Sequence, residues 1–229
     1  MLQRSELAGT VVQLGPLSIT YVVMVTWMIM MGLVLLSWLA VRRFSQEPGL
    51  LQVTIEGTIG AIDDAIRAVL PQQADRVFPF IATLWIFIVT ANLMGLVPGV
   101  HAPTGDLSVT AALAMLVFLS VHWFGVQIEG VRSYLRHYLT PSPLLLPFHI
   151  ISEISRTITL AVRLFGNMMS LEMAAVLVLL VAGFLAPIPL LMLHIIEALI
   201  QAYIFGMLTL IYIASAIQTQ ESGQQQEKG

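Results

Sequence analysis

Arg163, Asn167 and Glu172 lie inside a long apolar stretch in the last third of the sequence. The segment "TLAVRLFGNMMSLEM" (159–173) carries all three, and apolar residues continue on both sides of it. A guanidinium at the centre of a bilayer costs about 2.5–3.5 kcal/mol on insertion scales, so an ionisable group at that depth is by default a functional candidate. A cation, an amide and a carboxylate in such surroundings favour the transfer of ions or protons.

These residues fall on two faces of a helix. Because each helical residue turns by about 100°, Arg156, Arg163 and Ser170 form one stripe, with Asn167 about 40° from Arg163. Glu172 lies about 180° from Arg163 and about 13 Å along the axis. The two cannot form an ion pair within the helix, so we expect the counter-charge of Arg163 to come from elsewhere in an assembly.

A second polar set lies in "HIIEALIQ", where His194, Glu197 and Gln201 share one helical face. If the two helices form an antiparallel hairpin that pivots near Gly183, two pairs of residues come to similar depths. Glu172 is then level with His194, and Arg163 is nearly level with Gln201. This arrangement predicts a cluster of carboxylate and imidazole groups on the outer side. Deeper in the membrane, it predicts an arginine at nearly the same depth as an amide.

Polar residues inside a membrane bundle can also be hydrogen-bonded contacts between helices, each worth about 1 kcal/mol. Asn92 and His122 stand alone in their apolar segments, and we interpret both as packing residues. Two carboxylates, an imidazole and an arginine in one region instead indicate a hydrated path for ions.

The composition requires a membrane to hold these helices. The 229 residues are 58% hydrophobic and 10% charged, whereas soluble domains have about 25% charged residues. A net charge of -3 gives no general basic surface for nucleic acid, and the absence of Cys excludes disulfides and thiolate metal sites. We predict a single all-α, polytopic membrane domain over residues 1–229.

Uncharged runs and turn residues divide this domain. We predict five transmembrane helices, of which the last two form a long hairpin: 18–41, 77–98, 107–127, 149–186 and 190–217. Residues 51–70 have an amphipathic pattern and are expected to lie on the membrane surface, with a soluble connecting helix as the alternative. Residues 218–229 form a polar tail.

The positive charges fix the expected orientation. With five alternating spans, one side receives six arginines: Arg42, Arg43, Arg67, Arg76, Arg132 and Arg136. The other side receives only Arg4. Because short loops rich in Lys and Arg stay in the cytoplasm, we expect an outer N-terminus and a cytoplasmic C-terminus.

"RLFGNMMSLE" followed by "HIIEALIQAYIFGMLTLIYI" resembles subunit a of rotary F-type ATP synthases, and the resemblance covers essentially the whole chain. It implies that Arg163 faces the carboxylate of the rotating c-ring. The resemblance also implies roles in ion translocation for Asn167, Glu172, His194 and Gln201. Glu197 has no counterpart in the family pattern and is our own addition, and Glu153 and Arg156 are further candidates for an inner half-channel.

The resemblance implies a static, non-catalytic subunit of a bacterial cell membrane, with two offset half-channels that couple ion flow to rotation. Its partners would be the c-ring, subunit b of the peripheral stalk, membrane lipid and the translocated H⁺ or Na⁺. No cofactor or metal is expected, and no G-x-x-x-x-G-K-[ST] loop for nucleotide occurs. The form "ISEISRT…MSLEM" resembles the alternative, often sodium-linked N-ATPase branch, although Thr157 stands where many relatives have proline.

Two other functions remain as alternatives. A self-contained channel or secondary transporter would be expected to show an internal repeat or paired broken helices, and the sequence shows neither. A metal-dependent membrane enzyme could use His194 and Glu197 as two ligands, but the chain has no His-Glu-x-x-His motif.

Overall fold

The computed structural model describes residues 10–14, 17–43, 49–97, 100–130, 146–182 and 188–218. The described chain is helical apart from one short hairpin and the turns and loops that connect the helices. Its helices are α1 (Tyr21–Arg43), α2 (Leu50–Val69), α3 (Ala74–Leu93), α4 (Leu107–Glu129), α5 (Leu146–Ala182) and α6 (Ile188–Gln218). All except α2 are long and apolar enough to cross a membrane. The prediction of an all-α polytopic protein with five spanning helices is confirmed.

A two-stranded antiparallel hairpin precedes the first helix. Strands β1 (Thr10–Leu14) and β2 (Leu17–Thr20) pair with Leu14 opposite Leu17 and Thr10 opposite Thr20. The sequence pattern placed the start of the first span at residue 18. The helix instead begins at Tyr21, because residues 17–20 are hydrogen-bonded as a strand.

Several predicted features lie outside the described residues. These are the Gly183 pivot, the two arginines that follow α4 (Arg132 and Arg136) and residues 219–229 of the polar tail. The described helices on either side of the pivot pack against each other, as a hairpin requires.

Helices α2 and α3 are joined by a short turn at residues 71–73. Ile62 and Ile66 of α2 are buried in the core, while Arg67 near its C-terminus is exposed. Arg67 donates hydrogen bonds to Asp63 at 2.7 Å and to Asp75 of α3 at 2.8 Å. These bonds, the one to Asp63 foremost, raise the pKa of Arg67 above its usual value. The bond from Arg67 to Asp75 therefore ties the end of α2 to the beginning of α3.

Helix α3 contacts α1, α2 and α6. Its Trp85 stacks on Tyr203 of α6 with ring centroids 6.0 Å apart and lies directly against Gly206. Helix α4 packs between α5 and α6. The outer faces of α1 and α5 carry exposed Met, Trp, Leu, Ile and Val side chains, as expected for surfaces that meet lipid or another apolar helix.

Two short segments connect α3 to α4. Single 3-10 turns occur at Met94–Leu96 and Pro103–Gly105. Asp106 then caps α4 by accepting a hydrogen bond from the Ser108 backbone N–H at 2.7 Å. We call residues 101–105 the connecting loop. It packs against both α5 and the end of α3, and this packing brings it into the candidate site.

Candidate functional site

Arg163 lies near the middle of α5 and is exposed. Arg156, Thr159 and Ser170, which share its helical stripe, are also exposed. Within the described parts of the chain, no carboxylate lies within 4.0 Å of the guanidinium. The cation thus stands on the outer face of the bundle among apolar side chains such as Val162, without an acidic partner from the described residues.

Asn167 and Gln201 join α5 to α6 one turn from Arg163. The Asn167 amide nitrogen donates to Gln201 Oε1 at 2.6 Å, and Gln201 is 1% exposed. Gln201 Nε2 is buried without an acceptor among the described residues. A buried donor without a partner costs about 1–3 kcal/mol, so this Nε2 group lowers the stability of the fold.

Glu172 is held by the connecting loop. Its Oε1 accepts a hydrogen bond from the Ala102 backbone N–H at 2.8 Å, and its Oε2 lies 3.7 Å from His101 Nδ1. Gly105 leaves room for the carboxylate, because a Cβ at that position would lie 3.3 Å from Oε2. The loop therefore presents a dipole and an imidazole to a carboxylate that is otherwise surrounded by apolar helices.

The hairpin placed His194 at the depth of Glu172, but the described structure shows no hydrogen bond or ion pair between them. His194 Nε2 lies 3.1 Å from the Asn92 backbone oxygen, at the end of α3, and the side chain is 5% exposed. No ion pair joins Glu172 to His194 among the described residues. The reason is that the connecting loop provides the partners of Glu172, while the end of α3 provides the partner of His194.

Asn92 connects three parts of the molecule. Its Nδ2 donates to the Ala198 carbonyl oxygen of α6 at 3.3 Å, and its Oδ1 accepts from Thr104 Oγ1 of the connecting loop at 2.6 Å. Asn92 and Thr104 are both completely buried. Sequence reasoning interpreted Asn92 as packing and the loop as a turn. One sequence signal could have linked Asn92 to the site: Asn92 and Glu172 both lie toward the ends of spans that reach the same side of the membrane.

Near the opposite end of the bundle, Glu153 of α5 faces α4. Its Oε1 lies 3.6 Å from His122 Nε2, and His122 Nδ1 lies 2.8 Å from the Phe118 carbonyl oxygen. Arg156 points elsewhere, with its guanidinium 5.4 Å from the centre of the Tyr212 ring of α6. Glu153 and Arg156, the two candidates for the inner half-channel, therefore have different neighbours. His122 of α4 lies beside Glu153, a contact that the sequence pattern did not predict.

Glu197 is half-buried on α6, between His194 and Gln201 in sequence. The described residues give its carboxylate no hydrogen bond or ion pair. They also contain no group of three His, Cys, Asp or Glu side chains that could hold a metal ion.

The fold and site define a multi-pass membrane protein in which polar side chains link apolar helices and Arg163 stands on an outer face. Residues 23–214 match the family described as ATP synthase A chain. The chain is 64% identical to ATP synthase subunit a 2 of Pelobacter propionicus over 217 residues, 95% of each chain. It is 57% identical to ATP synthase subunit a of Legionella pneumophila (strain Corby) over 222 residues, 96% of each chain. The chain belongs to the ATP synthase subunit a family.

Proposed function

We propose that this chain is the static membrane subunit that delivers ions to, and removes them from, a rotating c-ring. The observation that carries the proposal is the exposed Arg163 on the apolar outer face of α5. A lone guanidinium in lipid is unfavourable, so a carboxylate on a neighbouring protein is the partner that makes this placement stable. The α5–α6 hairpin is then the surface that contacts the ring.

Arg163 acts on the ring carboxylate by electrostatics. While that carboxylate faces lipid it must be protonated or occupied by an ion, because a bare charge there is too costly. Opposite Arg163 the ionised form is favoured, and the bound ion is released. The guanidinium keeps its charge under all physiological conditions, so it also repels cations and prevents a direct leak between the two half-channels.

The Asn167–Gln201 bond supports this role by fixing the surroundings of Arg163. It holds α5 and α6 together one turn from the arginine, at 2.6 Å between the amide nitrogen and oxygen. A fixed neighbour limits the directions in which a long side chain can point. We infer that the two amides keep the guanidinium aimed at the ring.

The outer half-channel runs through the polar groups between the connecting loop and the helix ends. His101 is largely exposed at its mouth, next to Glu172, and Asn92, Thr104 and His194 continue inward as a buried hydrogen-bonded set. Carboxylate, imidazole and amide groups at these positions exchange protons or replace the hydration of a small cation. Glu197 would extend this set along α6.

The positive charges at the ends of the spans support a cytoplasmic C-terminus in a bacterial cell membrane. In this arrangement the amphipathic helix α2 lies at the cytoplasmic surface, and subunit b and lipid cover the exposed helices away from the ring. The subunit itself is non-catalytic, nucleotide chemistry belonging to other subunits. H⁺ and Na⁺ both fit this proposal, and the sodium-linked branch rests on the sequence resemblance alone.

The proposal is tested by Arg163→Ala in the complete ATP synthase reconstituted in vesicles. We expect loss of ATP-driven ion pumping and of ion-driven ATP synthesis, with assembly preserved, because the ring carboxylate no longer meets a fixed cation. Thr159→Ala, one turn away on the same exposed face, is the matched control and should pump normally. Coupled transport by the Arg163→Ala complex would overturn the proposal.

A further inference from the structure

Two carboxylate–imidazole pairs lie on opposite sides of Arg163 along α5. Glu172, about 13 Å from Arg163 along the axis, pairs with His101 at 3.7 Å. Glu153, about 15 Å away in the other direction, pairs with His122 at 3.6 Å. The first pair belongs to the proposed outer half-channel, so the second stands where an inner half-channel is needed.

The depth of the second pair agrees with this position. His122 and Glu153 each lie seven residues, about 10 Å, from the ends of α4 and α5 that face the same side of the membrane. Their side chains are 32% and 22% exposed, so both are partly withdrawn from solvent yet reachable. Placing an ionisable pair inside a membrane bundle costs free energy, so such a pair is a candidate for a function.

The His122 ring is oriented for exchange with Glu153. Nδ1 lies 2.8 Å from the Phe118 carbonyl oxygen, which only accepts hydrogen bonds, so Nδ1 carries a hydrogen and donates it. In the neutral ring, Nε2 is then the basic nitrogen, and this is the atom that faces Glu153 Oε1. The distance of 3.6 Å between Nε2 and Oε1 falls to hydrogen-bonding range after a small side-chain rotation, or one water can bridge the two atoms.

We propose that His122 and Glu153 form the proton-exchange pair of the cytoplasmic half-channel. The proton of the Glu153 carboxyl group moves to His122 Nε2, which leaves a carboxylate beside an imidazolium, and the reverse transfer restores the neutral pair. Each step breaks one O–H or N–H bond and forms the other, with no further reactant. The inference rests on the proposed function and adds the route by which protons reach or leave its inner side.

Other ionisable groups near the pair come from the same end of the bundle. His149 lies four residues before Glu153, on the same helical face and nearer the beginning of α5. Arg156 is directed to Tyr212 of α6. The arrangement therefore leaves His149 on the cytoplasmic side of the pair and places Arg156 on the side of α6.

In a purely structural role, the pair would only hold α4 and α5 together by hydrogen bonding. Such a role would not require either side chain to take up or release a proton. Glutamine at either position retains hydrogen bonding but cannot exchange protons in the physiological range. His122→Gln and Glu153→Gln should therefore keep the complex assembled while slowing transport. Glu153→Asp keeps the carboxylate and should retain most of the activity.

The experiment measures acid–base-driven ATP synthesis by the complete complex in vesicles, with the pH varied separately on each side. Both glutamine variants are expected to lower the rate severalfold and to flatten its dependence on the cytoplasmic-side pH. The dependence on the outer-side pH should be unchanged. Ser120→Ala, two residues from His122 on α4, is the matched control and should behave like the wild type.

The proposed role of the pair would be overturned if the synthesis rate of both glutamine variants depended on cytoplasmic-side pH as it does in the wild type. It would also be overturned if the wild-type complex transported Na⁺ in place of protons. The Arg163→Ala complex separates the two proposals. If it loses coupling while the glutamine variants behave like wild type, only the present inference fails. If it retains coupling, the proposed function fails.

Discussion

At the scale of single residues, the connecting loop determines how Glu172 behaves. The carboxylate receives a backbone hydrogen bond from Ala102, approaches Gly105 and lies beside the exposed imidazole of His101. The hydrogen bond from the loop backbone to the side chain fixes the position of the carboxylate. Glu172 is thereby fixed at the boundary between solvent and the buried polar set.

Glu172→Gln is expected to slow ion transport and to change its dependence on the outer-side pH. The amide cannot take up or release a proton in the physiological range, and it loses the charge that attracts cations to the mouth. The measurement is ATP-driven pumping by the complete complex at several values of outer pH. Glu56→Gln, the same substitution at an exposed position of α2, is the control; an unchanged Glu172→Gln profile would remove this carboxylate from the path.

Sequence reasoning identified Arg163 as the intramembrane cation and found that Glu172 could not be its partner on the same helix. The hairpin calculation placed Gln201 nearly level with Arg163, whereas the structure bonds Gln201 to Asn167, one turn further along α5. The partners of Glu172 and His194 were not predictable in this way. They come from a loop and from the end of α3, whose positions depend on how four helices pack together and not on the spacing within one helix.

At the scale of helices, α3 and α6 are held at close approach by a glycine. A Cβ added to Gly206 would lie 1.6 Å from Trp85 Nε1, so the indole occupies the space that any other residue would need. Small residues at such positions allow helix backbones to approach closely in membranes. This contact sets the position of α6 and, through it, of His194 and Gln201.

Gly206→Ala should therefore destabilise the subunit by about 1–3 kcal/mol, the usual cost of overpacking a core. The thermal unfolding temperature of the detergent-solubilised complex measures this effect. Gly32→Ala on α1 is the matched control, because a Cβ there meets nothing within 4 Å and the change favours helix. Equal unfolding temperatures for the two variants would contradict the packing argument.

The helices themselves were predictable because long apolar runs have few alternatives to spanning a membrane as helices. The β1–β2 hairpin was not. Its four-residue second strand continues directly into α1, and its Leu17 and Ile19 resemble the beginning of the apolar run that follows. Hydropathy alone cannot separate a short apolar strand from the first turn of a helix.

At the scale of the whole molecule, the exposed face of α5 shows which interaction the described chain does not provide for itself. The Arg163 stripe of α5 lies between exposed apolar side chains such as Ile158, Val162 and Met169, and Arg163 has no acidic partner among the described residues. The sequence could predict that a counter-charge was missing from the helix. It could not supply the partner's position, because in the proposed function that partner belongs to another subunit.

The most direct test of the central claim is cysteine cross-linking, since the chain contains no natural cysteine. Thr159→Cys and Ser170→Cys flank Arg163 on its exposed stripe, and Leu119→Cys lies on the exposed surface of α4. Each is combined with a cysteine beside the ion-binding carboxylate of the c-ring and oxidised in membranes containing the complete complex. The account predicts disulfides to the ring from positions 159 and 170 and none from 119. Cross-linking from 119 alone would show that α5 does not face the ring.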